Sequence, residues 1–366
     1  MKVLFDSFTN SVDMKETRIF ILILLIIPFV ASAQTQKEKP AVTYEELYDE
    51  PFSINKLFIG FQPLYGELFT TNVNAGFGVE ASYFHKDKFD LKAHFRKTYT
   101  SDFYDFNRQA SLKVQETLAT DPKTYISDKP QPFIYYELGG TYHFKDFDQE
   151  SKTKMVLYKK SFKGDRWAAT VPLHAEIPCK VRKIYGARLG AILWNSTADL
   201  TSAISHQKLT NADLKNAGGQ PLPDSVLNSN GQYKHLNVFG NLHSTNIYVG
   251  GSITWIRNVA VSFDKYDDGI DDGIMTVFLD IMFAPSLILD PVTYLNQKYS
   301  TDAIKLSTIG VRAGIDGKFN RTLSWSYGGE FGYRPTISGQ GFFAMFKIAF
   351  PLYSTNLDQK VESFGK

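Results

Sequence analysis

Five carboxylates crowd into Asp264-Lys265-Tyr266-Asp267-Asp268-Gly269-Ile270-Asp271-Asp272-Gly273, a stretch that also carries two glycines. Calcium takes oxygen ligands on flexible turns, so Asp264, Asp267, Asp268, Asp271 and Asp272 form a candidate calcium site. The spacing lacks the alternate-residue ligands and distal Glu of an EF-hand. Asp-Gly is also ordinary tight-turn chemistry, which leaves a solvated turn as the competing reading. Other chemistry has little to work with. Cys179 is the only cysteine, which excludes a disulfide framework and a multi-cysteine zinc or iron–sulfur site. No serine follows a histidine at the two-residue spacing of serine-lipase barrels, and His206, His235 and His243 stand apart from one another. Neither an enzyme nor a cofactor is expected.

A second set of polar residues recurs at every other position along apolar segments: Glu80, Lys92, His94, Arg96, Glu137, His174, Glu176, Arg188, Asp280, Arg312, Glu330, Arg334 and Lys347. Such residues either line a solute path or pair across neighbouring strands and fill an interior, as Arg312 and Glu330 are placed to do. The elements that carry them have period two. Val73, Ala75, Phe77, Val79, Ala81 and Tyr83 oppose Asn74, Gly76, Gly78, Glu80 and Ser82. After His85-Lys86-Asp87-Lys88, Phe89, Leu91, Ala93 and Phe95 oppose Asp90, Lys92, His94 and Arg96, which describes a hairpin.

These alternating runs are longer than ordinary globular strands. Their polar faces are rich in Gly and Ser with single charges of both signs, unlike the Lys/Glu/Thr-dense outside of a soluble sandwich. The expected fold is therefore all-β: a transmembrane antiparallel up-and-down barrel with its apolar face to lipid. Trp167, Trp194, Trp255 and Trp325 lie near expected strand ends, where a membrane-interface girdle would place them. Fourteen strands are expected, at 57–65, 72–84, 89–100, 133–145, 153–162, 166–177, 184–195, 233–242, 245–256, 258–264, 274–284, 304–315, 323–334 and 341–353, with twelve as the alternative. That count puts the connections 101–132, 196–232 and 285–303 at one end of the barrel. The turns at His85–Lys88, Asp316–Arg321 and around Cys179 go to the other.

Met14-Lys15-Glu16-Thr17-Arg18, the apolar run Ile19–Val30 and Ala31-Ser32-Ala33 before Gln34 have the three parts of a cleaved signal peptide, with Met14 a candidate true start. The expected organisation is a leader over 1–33, a polar periplasmic tail or plug over 34–55, a barrel over 56–353 and a polar tail over 354–366. The 40 Lys+Arg balance 38 Asp+Glu to a net charge of +2, which argues against nucleic acid as a partner. The 14% aromatic content argues against disorder.

The Ala31-Ser32-Ala33-Gln34 leader, Gly/aromatic strands such as Tyr327–Tyr333 and a Phe-rich last strand from Gly341 to Tyr353 together resemble the outer-membrane β-barrel proteins of Bacteroidota. The resemblance implies a Gram-negative outer-membrane location, with outer-membrane lipid and the barrel-assembly machinery as partners. It also implies a channel or transporter for a small solute or, alternatively, a non-conducting structural or assembly subunit bound to other envelope proteins.

Overall fold

The computed structural model describes residues 42–85, 88–100, 126–158, 173–320 and 325–355. The leader, Trp167, most of 101–132 and the tail beyond Thr355 lie outside the described residues. In chain order the strands are β1 (Tyr44–Asp49), β2 (Leu57–Phe69), β3 (Asn74–His85), β4 (Phe89–Thr98), β5 (Ile134–Leu157) and β6 (Leu173–Asp199). Helix α1 (Leu200–His206) precedes β7 (Ser225–Leu227), β8 (Tyr233–His235), β9 (Phe239–Ile256), β10 (Val259–Phe263), β11 (Gly269–Asp271) and β12 (Gly273–Leu289). The remainder are β13 (Val292–Tyr294), β14 (Gln297–Tyr299), β15 (Leu306–Ser307), β16 (Ile309–Phe319), β17 (Ser326–Tyr333), β18 (Thr336–Ile337) and β19 (Phe342–Ser354).

Ten of these strands close into an antiparallel barrel in the order β2-β3-β4-β5-β6-β9-β12-β16-β17-β19, with β19 pairing back onto β2. Ten replaces the expected fourteen for identifiable reasons. Segments 133–145 and 153–162 are one continuous strand, as are 166–177 (where described) and 184–195, because β5 and β6 run on together as a ribbon beyond the barrel. The expected strand 233–242 divides between β8 and the start of β9. The expected strand 258–264 is β10, which lies outside the barrel in a small sheet of order β1-β10-β11. The Cys179 region is not a turn: Cys179 sits within β6, opposite Ser151 of β5.

The inside-out patterning survives this revision. Val277, Leu279, Ile281 and Phe283 of β12 point outward, with Leu279 58% and Ile281 59% exposed, while the alternate positions Phe278, Asp280 and Met282 are buried. The same holds around the ring, with Leu138, Leu189, Val249, Val311, Phe331 and Phe346 outside and Glu137, Arg188, Arg312, Glu330 and Lys347 inside. A strand's alternate side chains go to opposite faces, so ten such strands give an apolar exterior and a polar interior.

The connections β4–β5, β6–β9 and β12–β16 all leave from one end, which carries α1 and the β7–β8, β13–β14 and β15–β18 pairs. The expected clustering of the three long connections at one end therefore holds. The start of β2, the end of β19 and the β3–β4 and β16–β17 junctions share the opposite end. Asp199 caps α1 by accepting the N–H groups of Thr201 (2.9 Å) and Ser202 (3.3 Å). The stretch expected as a polar tail or plug contains β1, which pairs with β10. It continues to Asn55, which is buried and hydrogen-bonded to Asn320.

Candidate functional site

The inward face at mid-height is an ion-paired network centred on Arg312 of β16. Its guanidinium donates to Glu137 on β5 (2.5 and 3.2 Å), Asp280 on β12 (2.9 Å), Glu330 on β17 (3.3 Å) and the Tyr135 hydroxyl (3.3 Å). Asp280 and Glu330 come from the two strands flanking β16, whereas Glu137 reaches it from across the lumen. Arg188 of β6 grips Asp280 with both fork nitrogens (2.9 and 3.2 Å) and lies over the Phe278 ring, while Arg312 covers that of Tyr248. Arg96 reaches Glu330 at 3.2 Å, and Arg334 reaches Glu67 at 2.7 Å.

Small residues make room for these bridges. Gly250 of β9 faces Arg188 on one side and Asp280 on the other. A Cβ there would stand 2.2 Å from both Asp280 Oδ1 and the Leu279 carbonyl oxygen. Gly250 is thus the gap across which the Arg188–Asp280 fork closes, and a glycine on the polar face of β9 between Asn246 and Ser252 is the sequence signal for it. Gly250→Val is expected to cost about 1–3 kcal/mol by overpacking. The measurement is the temperature at which the folded barrel loses its fast gel mobility. Gly251→Ala, whose Cβ meets nothing nearer than 3.8 Å, should leave that temperature unchanged.

Toward the end where β2 begins and β19 finishes, Lys347 bonds Glu80 (2.7 Å) and Asp316 (3.1 Å), and Lys92 bonds Asp316 (3.4 Å). His94 lies 3.8 Å from Glu80. Beyond this layer Ile54, Phe84, Ile184, Ile256 and Ile274 form an apolar cluster. At the opposite end Trp194 packs edge-on to Phe69 (centroids 5.4 Å apart), within a core that includes Phe133, Leu236, Val238, Phe239, Leu242 and the buried face of α1. There Asp128 accepts the Thr293 N–H at 2.7 Å, yet burial holds its carboxyl above the ordinary range. An ion-paired layer thus lies between two apolar ones.

Of the expected interior residues, Glu80, Lys92, His94, Arg96, Glu137, Arg188, Asp280, Arg312, Glu330, Arg334 and Lys347 all belong to this interior, and the Arg312–Glu330 pair is present. His174 and Glu176 do not. They pair with Val156 and Lys154 on the β5–β6 ribbon, and Glu176 is exposed. The buried phase of β6 changes there, from Ala175, Ile177 and Cys179 to Arg182, Ile184 and Arg188. Trp194 is a second correction: it points inward, because the interior turns apolar at the loop-bearing end. Trp255 and Trp325 point outward near the other end, and Trp325 touches Phe319 and Tyr327.

The five aspartates do not assemble into a calcium site. Asp271 accepts from Thr153 (2.5 Å) and Arg257 (3.2 Å), and Asp268 accepts from Ser262 (2.8 Å). Among the described residues no three His, Cys, Asp or Glu side chains converge to hold a metal. Asp264, Asp267, Asp268, Asp271 and Asp272 instead belong to the connection that forms β11 and joins β10 to β12. Sequence reasoning missed Glu67, Tyr135, Tyr248 and Asp316: Glu67 lies beyond the bulge in β2 and past the expected strand end at 65, Asp316 lies past the expected strand end at 315, and the two tyrosines stand on the polar face of their strands without a charge to single them out.

No protein-family model matches the chain, and no curated protein matches it at a significant level.

Proposed function

We propose that this chain is an integral barrel of a Gram-negative outer membrane, and that it serves as a closed, non-conducting scaffold for an envelope assembly. The carrying observation is the inverted barrel, with exposed Leu138, Leu189, Leu279, Ile281 and Phe331 outside and ion-paired Arg312, Glu137 and Asp280 inside. In water that exterior would be a very large apolar patch, whereas in a bilayer it is ordinary. An even number of strands with the first and last paired also fits a single-chain bacterial barrel.

Closure is favoured over conduction by the size and filling of the lumen. Eight strands already enclose a space that side chains can fill, and aqueous channels belong to barrels of about sixteen or more. Here Arg312 reaches Glu137 across the lumen, and apolar clusters lie above and below. The parts left to engage partners are then the β5–β6 ribbon with the β1-β10-β11 sheet at one end and the α1-bearing cap at the other.

The test is heat-modifiable gel migration of detergent-extracted protein, then planar-bilayer recording of the same sample. The expected result is a mobility shift on boiling and a silent bilayer. Unchanged mobility would remove the membrane barrel, and discrete conductance steps would restore the channel reading.

A further inference from the structure

Between the ion-paired layer and the Ile54/Phe84/Ile274 cluster lies a chamber of about 50 Å³, lined by Phe58, Phe84, Ile274, Lys318, Ser82 and His94 among others. That is several times the roughly 10–15 Å³ a single water needs. Its acceptors are already committed. Glu80 takes Lys347, Gln62 and Ser326, and Asp316 takes Lys347 and Lys92.

Its donors are not. Lys318 gives one proton to Ser82 Oγ (2.7 Å), lies over the Phe58 and Phe84 rings, and has no carboxylate within salt-bridge distance among the described residues. The Ser82 hydroxyl accepts that bond, which leaves its own proton unassigned. His94, with its side chain 8% exposed, has Nδ1 buried and without a hydrogen bond. One wall thus carries an ammonium with no directly bonded carboxylate beside a free Ser82 proton and the unbonded His94 nitrogen, and the other is aromatic and aliphatic.

We propose that this chamber binds one small monocarboxylate of about acetate size. Its oxygens would accept from Lys318 Nζ and Ser82 Oγ, and its alkyl end would lie against Phe58, Phe84 and Ile274. A dianion would meet Glu80 and Asp316 without enough countercharge, and a neutral molecule would leave the Lys318 charge unmatched. The inference rests on the interior alone and stands whether or not the barrel conducts.

The experiment uses the full chain folded in detergent, with its folded state established by gel mobility. Carbon-13 acetate is added and its resonance followed while unlabelled acetate competes, and the thermal midpoint is measured against sodium acetate at constant ionic strength. The expected result is competable line broadening and a saturable rise of the midpoint. Lys318→Met should weaken the acetate response about tenfold or more, the scale of losing a charge-assisted contact, while Lys318→Arg retains it. Absence of competable broadening in the wild-type chain would overturn the proposal, even if Lys318→Met failed to fold. So would an equal acetate response in wild type and Lys318→Met, which would make water the chamber's occupant.

Discussion

Arg312→Ala is expected to destabilise the barrel by about 3–5 kcal/mol, the cost of removing one partner from a buried ion cluster. Arg312 is 1% exposed and, among the described residues, is the only cation within bonding distance of Glu137. Without it Glu137 and Glu330 lose a shared guanidinium, while Asp280 keeps Arg188 and Glu330 keeps Arg96. The remaining excess is one unpaired carboxylate in a low-dielectric space, which is what makes the loss large. Arg312→Lys should recover only part of it, since an ammonium cannot reproduce the forked contacts to Glu137 and Asp280. Denaturant titration of the lipid- or detergent-folded chain, read by the return of slow gel mobility, measures both variants. A loss below about 1 kcal/mol for Arg312→Ala would mean that water substitutes for the guanidinium and that the interior is open.

Leu279→Arg addresses the other face of the same strand and is expected to cost about 2–4 kcal/mol, the penalty for a cation on the lipid side at mid-bilayer. Leu279 is 58% exposed and flanked by outward-facing Val277 and Ile281, so in an aqueous protein the change would fall in the range of about ±0.5 kcal/mol typical of surface sites. The two environments predict results far enough apart to separate cleanly. Refolding yield and unfolding midpoint in phosphatidylcholine vesicles provide the measurement, with Asn246→Arg avoided as a comparison because its side chain is buried. A neutral outcome would place the outer face of β12 in water.

Much of this arrangement was legible in the residues. The alternation Val277, Leu279, Ile281 against Phe278, Asp280, Met282 identifies strand and faces directly, and the opposite charges of Arg312 and Glu330 identify an adjacent inward pair. The errors follow from places where surroundings change along a continuous element. Asp146–Lys152 is so polar that it falls between the expected strands 133–145 and 153–162, yet it is strand, because there β5 has left the ring and pairs only with β6. The turn expected around Cys179 is strand as well, and Pro178 is accommodated there because the ribbon leaves one edge of β6 without a ladder in which its missing N–H would matter. Trp194 follows the opposite logic. It occupies an inward position where polar residues are the rule, but the cap from α1, β7 and β13 places it in an apolar cluster drawn from distant parts of the chain. Contacts across the lumen, such as Arg312 with Glu137, carry no local signal at all.

The pairing of Ser354 with Phe58 has a consequence for how the molecule comes into being. Every other junction in the ring joins barrel strands that are successive along the chain, so each can zip onto its predecessor. The final junction joins the first barrel strand to the last, and until it forms β2 and β19 each offer a bare ladder of amides and carbonyls to whatever lies beside them. A transcript cut short before Phe342 would leave two such ladders permanently exposed. The assembling barrel is therefore most vulnerable to joining the wrong neighbour just before it closes, and its safety depends on how soon its two ends meet.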